Sequence, residues 1–170
     1  MAGQGADMLE RQENHDFAAP VEAVVARWTD AEFLTAMMQS QGSREIAVTV
    51  ERPSPQEIHV AITRQVPVDA PAMIRAVIGS WLDLTQRDVW QRQSDGSWHA
   101  VRDAKPKGLS AEGQCLLTLS ANGDGGTACA ATVSVQSRAP MVAAMVESLM
   151  LEDSTRLLRQ EFEAVSAATA

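Results

Sequence analysis

"PMVAAMVESLMLEDSTRLLRQEF", Pro140–Phe162, reads as one long helix. At roughly 100° per residue, Val142, Val146, Leu149, Met150, Asp153 and Leu157 fall within a stripe about 100° wide. The stripe is apolar except for Asp153, which lies inside it rather than at its edge. A face of this kind has to be buried against another layer. What the rest of the chain places beneath it decides the fold.

Upstream the chain offers mostly strands. "MLERQENHDF", Met8 to Phe17, reads as a first strand. In "AAPVEAVVARWTD", Pro20 suits a helix start, and Val21, Val24, Val25 and Trp28 recur at helical spacing. Asp30 is an N-cap for a second short helix, "AEFLTAMMQ", with Phe33, Leu34, Met37 and Met38 on one face; Gly42 ends it. The period then changes from 3.6 to 2. "REIAVTVE" alternates Ile46, Val48 and Val50 against Glu45, Ala47 and Thr49, and "EIHVAITRQV" alternates Ile58, Val60 and Ile62 against His59, Ala61 and Thr63. The two form a hairpin with one buried face.

"VDAPAMIRAVIGSW" interrupts as a short helix from Pro71 to Gly79, with Met73, Ile74, Val77 and Ile78 along an apolar edge. Strands resume in "WLDLTQRDVWQ", "SWHAVRD", "QCLLTLS" and "TACAATVSVQ", with turns at "SDGS", "KPKGLSAEG" and "ANGDGG". The expected fold is α+β: a curved antiparallel sheet of about seven strands wrapped on the long C-terminal helix, with two short helices after strand 1. The chain shows no repeat, low-complexity tract or interdomain linker, so residues 1–170 are expected to form a single domain.

Composition excludes several functions. A net charge of -8 argues against nucleic acid, whose phosphates demand a basic face. The one basic cluster, Lys105-Pro106-Lys107, reads as a turn and is too short for a binding stripe. No segment approaches the roughly 20 apolar residues of a membrane span, so no stable membrane insertion is expected. "MAGQGADMLERQ" lacks a basic start and an apolar core, so the expectation is a cytoplasmic protein. His15, His59 and His99 show no i, i+4 pair, and no metal or cofactor is expected.

The order of elements resembles the START-like helix-grip superfamily, also called SRPBCC. "FAAPVEAVVARWTDAEFL" carries the resemblance at Pro20, Val24, Trp28, Thr29 and Asp30, and "ITRQVPVDAPAMIRAVIG" followed by "WLDLTQRDVW" is similar to a bacterial branch known as a domain of unknown function. The likeness spans about Met8 to Val165. Ala31 departs from it, since many relatives carry Pro after the Asp. These motifs are structural, specific for fold and weak for activity. The resemblance implies a cavity between the curved sheet and the last helix, where relatives hold lipids, steroids, polyketides or other apolar molecules. It carries no catalytic residue onto this chain.

The candidate ligand-binding walls are Ile46, Val48, Ile58, Val60, Leu117, Val133, Val146 and Met150, with Asp153 or a rim residue at the polar end of a ligand. Three roles are open to Asp153. It reaches solvent or pairs with an arginine, it orients a ligand, or it transfers protons, although only one inward acid is seen and a catalytic partner is missing. Met37, Met38, Met73, Met141, Met145 and Met150 fill a core or adapt to a ligand. The small residues Ala128, Cys129, Ala130, Ala131 and Ser134 of the last strand leave volume opposite the helix. Met73, Ile74 and Val77 form a candidate lid. Cys115 and Cys129 are expected as free inward thiols on neighbouring strands, with His59 on the other face and no base at hand. The expected function is binding or carriage of a small hydrophobic molecule such as a lipid, quinone or polyketide. The alternatives are a polyketide cyclase or hydrolase, which needs a convergent polar pair in the cavity, and a protein-interaction module with a filled core. Oligomeric state is open.

Overall fold

A computed structural model describes residues 8–138 and 143–170; Pro140, Met141 and Val142 of the helix reading lie outside them. Strand β1 (Leu9–Phe17) leads into helices α1 (Val21–Trp28) and α2 (Ala31–Ser40). Strands β2 (Arg44–Ser54) and β3 (Glu57–Pro67) precede α3 (Ala72–Ile78). Strands β4 (Trp81–Arg92), β5 (Trp98–Pro106), β6 (Ala111–Ala121) and β7 (Thr127–Ser137) then lead to α4 (Ala143–Thr169).

The strands form one antiparallel sheet in the order β1-β7-β6-β5-β4-β3-β2. Consecutive strands from β2 to β7 are neighbours, and β1 closes on β7 with Phe17 opposite Thr127. Register shifts between Arg44 and Ala47, and between Glu51 and Ser54, bend β2 away from a flat edge. Alternation holds along the sheet. Ile58, Val60 and Ile62 of β3 are buried, as are Trp98 and Ala100 of β5 and Leu117 and Leu119 of β6. The Asp30 carboxylate accepts from the Phe33 amide at 2.7 Å, capping α2, and Gly42 takes the positive φ of 87° that lets the chain turn into β2.

Three boundaries differ from the sequence reading. Lys105 and Pro106 belong to β5, opposite Thr85 and Leu84, so the turn begins at Lys107. Pro106 is tolerated because it ends the strand, where its missing donor costs little. Strand β6 begins at Ala111, with Glu112 and Gly113 already paired to Gln136 and Val135. Helix α4 continues past Phe162 to Thr169, because Ala164, Ala167 and Ala168 favour helix and no Gly or Pro stops it.

Helix α4 packs on β7, β1, β6 and α1. From Leu151 onward its buried residues are Leu151, Thr155, Leu158, Glu161, Phe162 and Val165. That face is rotated from the stripe read from sequence, whose Leu149, Met150, Asp153 and Leu157 are half-buried. An aromatic cluster seats the helix: Trp28 lies 5.7 Å from Phe162, 5.9 Å from Phe17 and 5.6 Å from Trp90, measured between rings. At the open edge Arg159 bonds Glu13 of β1 through Nη2 at 2.6 Å.

Candidate functional site

Two small spaces lie between α4 and the sheet, lined by neighbouring stretches of β3, β4 and α4. The outer one, about 90 Å³, is an apolar cleft under α3, walled by Val66, Ile74, Ile78, Leu82, Val146 and Met150. Asp69 and Asp153 add polar groups to its lining. The inner one, about 70 Å³, continues along the same elements, one inward position deeper on β3 (Arg64) and β4 (Leu84, Gln86), and further along α4 (Ser154 to Glu161). Arg102, Cys115 and Val133 complete its wall.

The inner space is bordered by buried charge. Arg102 of β5 grips Asp88 of β4 through two parallel bonds, Nε to Oδ1 and Nη2 to Oδ2, both 3.0 Å. Its Nη1 donates to both oxygens of Glu161 on α4, at 3.0 and 3.1 Å. Gln86 donates to Asp88 Oδ1 at 3.1 Å, and Trp28 Nε1 donates to Glu161 Oε2 at 3.0 Å. Planar guanidinium suits this bidentate geometry. Burial works against the Arg102 charge, but Asp88 and Glu161 outweigh it and hold the guanidinium well above its ordinary value. The cluster is therefore an ionised, hydrogen-bonded link tying two strands to α1 and α4.

Arg64 is different. It is 5% exposed, and Nη1 donates to Gln41 Oε1 and Ser43 Oγ at 3.2 Å each. No ion pair joins it among the described residues, and its buried Nε has no hydrogen-bond partner there. Burial pulls this guanidinium below its ordinary value, opposed chiefly by the field of Glu161.

The expectation of one inward acid is corrected by this arrangement. Asp88 and Glu161 are buried, with two arginines beside them. Periodicity carries the signal. Arg64 follows Ile58, Val60 and Ile62 at the next inward step, and Gln86 and Asp88 stand between Leu84 and Trp90 on one face.

The residues proposed from sequence divide among several places. Val146, Met150 and Asp153 line the outer cleft, and Val133 lines the inner space. Ile58, Val60 and Leu117 lie in the solid core, with Ile46 and Val48 half-buried against it; these five line neither space. Asp153 has a 44% exposed side chain, ion-paired with Arg156 one turn on. In α3, Ile74 points into the cleft, whereas Met73 and Val77 are 73% and 76% exposed. On β7, Cys129 and Ala131 face inward, and Ala130 outward.

Cys115 and Cys129 are free and buried. Burial pushes each thiol up to about 12. At neutral pH neither is a nucleophile. A thiol at its ordinary 9.0 carries about a thousandfold more thiolate than one near 12. The folded protein is thus expected to react with Ellman's reagent at least a hundredfold more slowly than the protein in 6 M guanidinium chloride. Rapid labelling of two thiols in the native state would contradict this placement.

Among the described residues no group of three or more His, Cys, Asp or Glu is placed to hold a metal ion. No helix there is long and apolar enough to cross a membrane.

Similar architecture occurs in solved structures at low sequence identity. An aromatase/cyclase from Streptomyces sp. R1128 aligns with a TM-score of 0.67 at 11% identity, covering 96% of this chain and 94% of that one. A STAR-related lipid transfer protein from Xanthomonas axonopodis gives 0.58 at 14%, covering 94% and 85%. A protein of Thermus thermophilus gives 0.56 at 17%, covering 95% and 100%. At these identities the likeness establishes the fold, which is START-like helix-grip, and not the activity. No curated protein matches the sequence significantly. Residues 12–168 match the family described as protein of unknown function (DUF2505), and with nearly its whole length accounted for, the chain belongs to that family.

Proposed function

We propose that the protein binds a small, largely apolar molecule with one polar end, its body in the outer cleft and its polar end toward the inner space. The observation that carries this reading is the change of lining between the two neighbouring spaces, from Val66, Leu82, Val146 and Met150 in one to Arg64, Gln86 and Arg102 in the other. Ligand sites of this type combine apolar walls with a few fixed polar groups. The lipid transfer protein and the aromatase/cyclase named above share the fold and lend the reading support.

Volume limits the ligand. Both spaces are small beside the roughly 300 Å³ of the smallest common drug-sized pockets. A short chain fits with little change, and a larger one requires α3 to move, which is reasonable for a seven-residue helix whose Met73 and Val77 make little contact. Binding is favoured over catalysis because Asp88 and Glu161 are both committed to Arg102 and the adjacent thiol of Cys115 is protonated. A protein-interaction module is the second reading, favoured by the outward Met73 and Val77.

Met150→Trp should obstruct the outer cleft. Titration of 1-octanol, followed by calorimetry, is expected to show binding to the native protein and at least a tenfold loss in the variant, or about 1.4 kcal/mol. Equal affinity in the two proteins would remove the cleft from consideration. Absence of binding to the native protein would favour the interaction module.

A further inference from the structure

We infer that the inner space is a carboxylate-binding site, with Arg64 as its anchor, and that the ligand is a short amphiphilic carboxylic acid. This rests on the binding reading above and adds the chemical class of the polar end.

The inner space has acceptors that are all used and a donor that is not. Every oxygen of the two buried carboxylates already accepts a hydrogen bond. Asp88 Oδ1 takes Gln86 and Arg102, Asp88 Oδ2 takes Arg102, and both Glu161 oxygens take Arg102, with Trp28 adding a second bond to Oε2. Arg64 borders the same space, yet it has no ion-pair partner among the described residues, and its Nε donates to nothing there. A buried guanidinium with an orphaned donor is costly unless an acceptor arrives. Glu161 and Asp88 act on Arg64 through their field, which helps it stay charged without satisfying its donor geometry.

The missing group is thus an acceptor, preferably an anion. A planar carboxylate matches the fork of a guanidinium. A phosphate carries more charge than one unpaired guanidinium offsets and is bulky for about 70 Å³. On the same face of β3 and β4, Arg64 and Leu84 of the inner space stand next to Val66 and Leu82 of the apolar cleft, so the acid's hydrocarbon part has a place beside its head group.

Three probes with the same chain test the head group: octanoate, 1-octanol and octylammonium, titrated into the full chain by calorimetry at pH 7.5. Octanoate is expected to bind at least tenfold more tightly than 1-octanol, and octylammonium more weakly than either. Arg64→Met is expected to remove the tenfold preference and bring octanoate to the level of 1-octanol measured in the same variant. The comparison in the native protein stands even if that variant fails to fold. If 1-octanol binds as well as octanoate, the carboxylate site is wrong and the apolar cleft survives. If octylammonium binds best, Asp88 and Glu161 set the preference and the assignment to Arg64 is overturned. If none of the three binds, the carboxylate site and the apolar-ligand reading fall together.

Discussion

Arg102→Leu is expected to destabilise the protein by about 3–5 kcal/mol, the cost of breaking a buried ion pair by removing one partner. It would leave Asp88 and Glu161 side by side in the interior without the guanidinium that now binds both. For a domain of this size the melting temperature should fall by on the order of 10 °C. The deficit should hardly change between low and high salt, because a buried pair is poorly screened. It should shrink on acidification. Burial already pushes the Asp88 carboxyl above its ordinary 3.8, and Arg102 draws it back part of the way. Without Arg102 the folded-state value rises further. The native state then takes up a proton more readily than the unfolded state. Its relative stability therefore improves as pH falls from that raised value toward 3.8. Urea unfolding at several pH values measures both effects. A variant within 1 kcal/mol of the native protein at neutral pH would show that the cluster is not the charged link described above.

Trp28→Ala is expected to cost about 3–5 kcal/mol, the range for emptying a large aromatic site in a core. The indole touches Phe17, Trp90 and Phe162 and is buried among them. It also donates to Glu161, so two terms are lost together. Trp28→Phe separates them. It keeps most of the ring contact and removes the N–H, leaving one oxygen of Glu161 with Arg102 alone. A hydrogen bond to a charged group is worth about 1.5–3 kcal/mol, so the phenylalanine variant should lose roughly that much in urea unfolding. If it lost as much as the alanine variant, the hydrogen bond rather than packing would dominate this corner. If it lost nothing, Glu161 would not depend on the indole.

The fold was legible in the sequence to a far greater extent than the site. Alternation in Ile58, Val60, Ile62 and in the other strands marks a one-sided sheet, and the long apolar stripe marks its cover. Those signals are local and repeat every two or three to four residues, so each element announces itself. The charged cluster works otherwise. Taken singly, Arg64, Asp88 and Arg102 look like surface residues, because an isolated charge is not buried. Their inward phase was present in the pattern, but burial becomes acceptable only when Asp88, Arg102 and Glu161 meet. The strand register and a helix distant in sequence bring them together. Glu161 was obscured further because the buried face of α4, carrying Leu151, Thr155, Leu158 and Phe162, is rotated from the stripe read in the sequence. Asp153, which stood out as the single acid in an apolar row, sits at the outer opening and pairs with Arg156.

The order of the strands has a bearing on how the chain assembles. Strands β2 to β7 are a meander in which every pairing joins consecutive strands. One sheet contact breaks this pattern: β1 must find β7 across more than a hundred residues of chain. Loop closure of that kind carries an entropic cost that local hairpins avoid, and long-range pairing slows folding. Helix α4 shares the task, since Glu13 and His15 of β1 bond to its Arg159 and Ser166. The two ends of the chain are therefore each other's clasp: neither the first strand nor the last helix has its full set of partners until the other arrives.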